Sequence, residues 1–91
     1  MLHIVTRLNA LDDLARYLFD TDNVLLTEEA VYAVNPQHKK HALLPVTVTV
    51  SALLPDLQAR GVESVCAPHI TLVDFAGFVD LTAESDKSMT W

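Results

Sequence analysis

The sequence is poor in several residue types that small enzymes and binding proteins depend on. Its single cysteine, Cys66, excludes an internal disulfide and any Cys-x-x-Cys metal or redox motif. Two glycines, Gly61 and Gly77, cannot build a dinucleotide fingerprint or a P-loop, so no nucleotide cofactor is expected. Six lysines and arginines stand against twelve acids, a net charge of −6, which leaves no clustered positive surface for tRNA or DNA. The one basic cluster, His38-Lys39-Lys40-His41, reads as a solvated loop, because four residues lack the charge density and stacking surface of a nucleic-acid site. No apolar run approaches the ~20 residues of a membrane span. The opening Met1-Leu2-His3-Ile4-Val5-Thr6 lacks the basic region, long apolar stretch and small-residue cleavage site of a signal peptide. The expectation is a soluble, cytoplasmic chain.

Hydrophobic residues, by contrast, are plentiful, at 51 % of 91 positions. One domain over residues 1–91 is expected, and a chain of that length buries only about 60–65 % of its extended surface. Such a composition exceeds what a small private core absorbs, so part of the apolar surface is expected to face partner subunits in an obligate oligomer.

β-rich apolar runs alternate with helical patterns, which predicts a parallel α/β sheet. Leu2 to Thr6 is the first strand. Asn9 is placed to cap a helix whose first turn holds Asp12 and Asp13, with Leu11, Leu14, Ala15 and Leu18 as the buried stripe. Asp12 and Arg16 are spaced for an i, i+4 pair. After the polar turn Asp20 to Asn23 comes a second strand, Val24-Leu25-Leu26. Thr27 then caps a short helix from Glu28 to Val34, which Asn35-Pro36 stops. Gln37 to Leu44 is loop or one loose helical turn. Val46 to Val50 is a β-branched third strand, with valine on one face and threonine on the other. Pro55 opens the next helix and Gly61 ends it as a left-handed residue. Ile70 to Val73 is a buried strand, and Asp74 caps the helix that starts at Phe75. Four strands and about four helices result.

Candidate chemistry is sparse. Cys66 has Glu63, Val65, Ala67 and Pro68 around it, an acidic and apolar setting that raises a thiol pKa. It reads as a small buried hydrophobe. The functional alternative is a persulfide carrier assisted by His69. His38 and His41 lie three apart without an acidic or cysteine neighbour at ligand spacing, so no metal site is expected. His3 reads as a hydrogen-bonded structural histidine in a strand. No serine has a nucleophile elbow around it. The pairs Asp12-Asp13 and Glu28-Glu29 fall where helix first turns favour negative charge, and read as capping. No residue is therefore assigned as catalytic, cofactor-binding or metal-binding. Trp91 either covers the edge of the core or anchors into a partner; the partner reading is preferred, because tryptophan is enriched at interface hot spots.

The order of several short motifs resembles the TusB/DsrH family of sulfur-relay subunits. They are Met1-Leu2-His3, Val24-Leu25-Leu26 leading to Glu28-Glu29-Ala30-Val31-Tyr32-Ala33, Asp56-Leu57 with Ala59-Arg60-Gly61, and Val73-Asp74-Phe75 with Phe78-Val79, Leu81-Thr82 and Trp91. The resemblance implies a three-layer α/β/α, DsrEFH-like fold around a mostly parallel sheet of four or five strands. It implies a cytoplasmic hetero-oligomer with TusC-like and TusD-like subunits, linked indirectly to TusA-like and TusE-like sulfur carriers. The pathway implied is 2-thiolation of the tRNA wobble uridine, with the active cysteine on the TusD-like subunit; the alternative is a DsrH-like subunit of a sulfur-oxidation sulfur-trafficking complex. Some DsrH-type relatives in sulfur oxidation carry a cysteine in the first helix, where this chain offers Leu14. The family often has glycine where this chain has Ala30, which puts the local turn geometry in question. Trp91 and the C-terminal helix are expected to contribute to assembly.

Overall fold

Short apolar runs joined by helical connections pair in parallel, since only a crossover returns the chain to the same end of a sheet. The computed structural model describes residues 1–91 and contains five strands: β1 (Leu2–Val5), β2 (Asn23–Leu26), β3 (Thr49–Leu53), β4 (Thr71–Val73) and β5 (Ser88–Thr90). All four pairings are parallel, in the order β4-β3-β2-β1-β5. The α-helices are α1 (Leu11–Leu14), α2 (Leu54–Ala59) and α3 (Phe75–Glu84); the remaining helical segments are 3₁₀.

Crossovers between parallel strands are right-handed. The steps from β1 to β2, β3 and β4 all move one way across the sheet, so their connections share one face. The return from β4 to β5 puts α3 on the other. The result is a three-layer α/β/α arrangement. Register rows His3–Val24–Val50 and Val5–Leu26–Ala52 face the crowded side. There Val5, Val24, Leu26, Val50 and Ala52 pack with Leu11, Leu14, Val31, Val34 and Leu57 in the main core. Leu2, Leu25 and Leu53 are also buried, and strand alternation turns them to the α3 side.

The buried positions explain the 3₁₀ segments. From Glu28 to Val34 the chain keeps a three-residue turn, which eclipses side chains at i and i+3. Ala30 stands over Ala33 and Val31 over Val34, all fully buried. The same spacing relates Leu11 to Leu14, whereas Ala15, expected on the stripe at helical period, is exposed. Short α1 is flanked by 3₁₀ turns at Leu8–Ala10 and Ala15–Tyr17, and the tighter winding rotates Ala15 out.

Other expectations are corrected by contacts between elements. Asn9 caps nothing. The Leu8 N–H at that helical start is satisfied at 3.0 Å by Glu29 Oε1, from the connection after β2. The Thr27 side chain likewise makes no cap, donating instead to the Val5 carbonyl, and the Glu28 N–H finds Asp56 Oδ2 at 2.7 Å. Asp12 pairs with Lys40 Nζ at 2.8 Å, and Arg16 with Asp13 at 3.7 Å. The third strand lies three residues later than its β-branched run suggests, and Val46 is 93 % exposed. A central parallel strand is buried on both faces, and only Val50-Ser51-Ala52-Leu53 meets that demand; burial overrides β propensity. Ser88–Thr90 pairs with β1 as an additional strand.

Several punctuation signals hold. Gly61 has φ +69, and the bonds from Gly61 N to Gln58 O and from Val62 N to Leu57 O complete a Schellman end to α2. Asp74 Oδ1 accepts from Gly77 N at 2.8 Å as the N-cap of α3. The left-handed residue near the acidic pair is Glu28, φ 50, rather than Ala30, which is fully buried in the core.

Candidate functional site

Parallel α/β sheets place ligands outside the carboxyl ends of the strands, at the point where successive connections leave on opposite faces. Here that point lies between β3, whose connection crosses the crowded face, and β4, whose connection becomes α3. The residues that follow the strands at this rim are Thr6 and Arg7, Thr27 and Glu28, Leu54 to Asp56, and Asp74. No thiol or histidine is among them. Two of its three carboxylates are engaged with backbone: Asp56 holds the Glu28 N–H, and Asp74 holds the Gly77 N–H, while the Glu28 side chain is exposed.

Cys66 sits at the opposite end of the sheet. α2 starts at the carboxyl end of β3, and the chain must return to the amino end of β4, so Cys66, five residues before that strand, lies near the amino ends. The thiol is half-buried against the core and donates to the Ala67 carbonyl at 3.5 Å. Burial pushes its pKa up, away from the thiolate a sulfur nucleophile needs. His69, the expected assistant, stands edge-on to His41 with ring centroids 5.7 Å apart. His41 Nδ1 is held at 2.6 Å by the Ala33 carbonyl, and His38 Nδ1 accepts from the Lys40 N–H. These histidines fasten the Lys39–Leu43 turn.

The largest cavity, about 600 Å³, is an open trough at these amino ends. Its lining includes Pro45, Val46, Thr47, Thr49, His69 and Thr71, and holds no acid or thiol.

The most connected polar group is a buried cluster joining the two chain ends. His3 is 1 % exposed, with Nε2 3.0 Å from Asp22 Oδ2. Trp91 Nε1 lies 3.2 Å from His3 Nδ1, and an indole N–H can only donate. His3 Nδ1 therefore accepts, and Nε2–H donates to Asp22. Asp22 also accepts from the Phe19 N–H and from the Met1 amine, each at 3.0 Å. The Phe19 N–H, against the cost of burial and with help from His3 and the amine, lowers the Asp22 pKa from 3.8 to about 2. Trp91 extends the β5 pairing, since its N–H donates to the Ile4 carbonyl and its carbonyl accepts from Thr6. Its ring packs on Tyr17 at 5.2 Å. Of the two readings of Trp91, the structure supports the core cover.

Exposed apolar surface lies mainly elsewhere. Phe75 and Val79, one turn apart on α3, are each 63 % exposed, and no residue of α3 is fully buried. Tyr17, packed on Trp91 after β5, is also exposed, as are Phe19 and Val46.

The sequence profile described as "DsrH like protein" matches residues 5–88. Protein TusB of Escherichia coli (strain K12) is 35 % identical over 95 aligned positions, covering 100 % of both chains. This chain belongs to the DsrH-like family. Protein TusB of Pectobacterium parmentieri is 32 % identical, covering 89 % of this chain and 86 % of the relative. Protein TusB of Erwinia tasmaniensis is 30 % identical over the same shares. The crystal structure of the ychN protein from E. coli superposes with a TM-score of 0.75 at 17 % identity, covering 99 % of this chain and 97 % of that one. At that identity it shows the fold, and the fold is the one the family resemblance implied.

Proposed function

We propose that this DsrH-like chain is a non-catalytic subunit of a TusBCD-like sulfurtransferase complex, which relays persulfide sulfur for 2-thiolation of the wobble uridine in tRNA. The observation that carries the reading is the end-to-end match to proteins named TusB, at 35 % identity and full coverage of both chains. The site geometry supports it. The only thiol is half-buried, has a raised pKa and lies at the end of the sheet away from the switch point. In this reading the active cysteine belongs to a TusD-like partner, and this chain holds that partner in place beside a TusC-like subunit in the cytoplasm. The acidic surface, net charge −6, fits a subunit that meets proteins and leaves tRNA to others.

The test is to delete the gene and measure 2-thiouridine in bulk tRNA. Loss of the modified nucleoside, restored by the wild-type chain, is expected. Undiminished 2-thiouridine in the deletion strain would refute the assignment to tRNA thiolation.

A further inference from the structure

The sheet is unequally covered. Five parallel strands span about 19 Å at ~4.8 Å per neighbour, and three connections cross one face. The other face has α3 alone, ten residues and about 15 Å long, on the way from one sheet edge to the other. Its inner side, Gly77, Phe78, Leu81 and Thr82, is only half-buried. Its outer side repeats at helical spacing: Phe75, Ala76, Val79, Asp80, Ala83 and Glu84 are all exposed. The apolar members Phe75, Val79 and Ala83 form one stripe about two turns long, with small Ala76 beside it. Every charge on the helix and at its cap is negative, namely Asp74, Asp80 and Glu84. The first positive side chain beyond it is Lys87.

We propose that the outer face of α3 is the docking surface for a different protein subunit, whose contact surface is apolar at the centre and carries lysine or arginine at the rim. The inference rests on the subunit reading above and names the surface and the partner's chemistry. Charge selects the occupant. Two copies of this chain, each of net charge −6, would bring together two α3 faces whose only charges, Asp74, Asp80 and Glu84, are negative. Like charges facing each other in an interface disfavour association, so a second copy is the wrong partner. A basic rim on a different subunit neutralises the same carboxylates, and the Phe75–Val79 stripe supplies the anchor that a desolvated interface centre needs.

The experiment co-expresses the full chain with TusC-like and TusD-like subunits and measures the assembly by native mass spectrometry and analytical ultracentrifugation. Two double variants are compared with wild type: Phe75→Asp with Val79→Asp, and Asp80→Lys with Glu84→Lys. All four side chains are exposed, so circular dichroism and thermal unfolding of each variant are expected to match wild type. The first variant is expected to weaken association at least tenfold. The second is expected to weaken it several-fold and to remove most of its salt dependence. Wild-type-like assembly by the first variant would overturn the proposed surface while leaving the subunit reading intact. Unchanged affinity in the second variant would overturn the basic rim. A homo-oligomer of the chain alone, abolished by the first variant, would overturn the choice of partner. If wild-type chain fails to assemble with either subunit, the subunit reading itself falls.

Discussion

Asp22 gathers three donors at once, from the Phe19 backbone, His3 and the Met1 amine. Its folded pKa of about 2 lies below its ordinary 3.8, so its stabilising contribution is complete above about pH 4 and is lost as pH falls towards 2. Asp22→Asn should cost about 2–4 kcal/mol at neutral pH, because a buried charged acceptor is removed from several donors. Its acid unfolding curve should also be flatter between pH 4 and 2 than that of wild type. Equal slopes in urea titrations across that range would show that Asp22 does not govern the acid limb. For Cys66 the expectation is the reverse. Cys66→Ser should shift stability by only about 1 kcal/mol, since the thiol is half-buried at the margin of the core, and wild-type Cys66 should react slowly with iodoacetamide. Alkylation at the rate of a free thiol would contradict the burial. The sequence showed His3 as a structural histidine in a strand, yet it concealed Asp22 as the partner. Asp22 sat within a polar turn, where carboxylates are ordinarily solvated, and Trp91 reached the same site from the far end of the chain.

At the scale of elements, local punctuation was legible and long-range substitution for it was not. Gly61 and Asp74 do what their positions predicted. Gly61→Ala should cost about 1 kcal/mol, because φ +69 penalises a Cβ even though the added atom meets nothing within 4 Å. Asp74→Ala should cost about 1 kcal/mol through the lost cap of α3. Thermal unfolding measures both, and an unchanged midpoint in either variant would remove the cap concerned from the account. Asn9 and Thr27 looked like caps by the same rules and are not; at those helix starts Glu29 and Asp56 reach the Leu8 and Glu28 N–H groups from other elements. Period was the other blind spot. A 3.6-residue template placed Ala15 inside, while the chain winds at three residues per turn and buries Ala30 with Ala33 and Val31 with Val34. The β-branched run at Val46–Val50 misplaced β3 for a third reason: a strand between two neighbours is chosen by burial on both faces, which Ser51 and Ala52 satisfy.

For the whole molecule, apolar composition and acidic balance together point to one role. Part of the surplus of hydrophobic residues that the sequence displays emerges at Phe75 and Val79 on the thinly covered face, with more at Val46 and Phe19, while the thiol is tucked at the margin of the core. The sequence pointed to the C-terminal helix as an assembly element. It assigned the same task to Trp91, which the fold turns in against the core while the outer face of α3 stays exposed. Sulfur delivery should therefore depend on how this subunit seats its neighbours and be indifferent to its sulfur atom. The most direct measurement is persulfide transfer to the downstream acceptor by a reconstituted complex carrying Cys66→Ser. The account predicts wild-type rate and wild-type assembly mass; an intact complex that no longer delivers sulfur would contradict it.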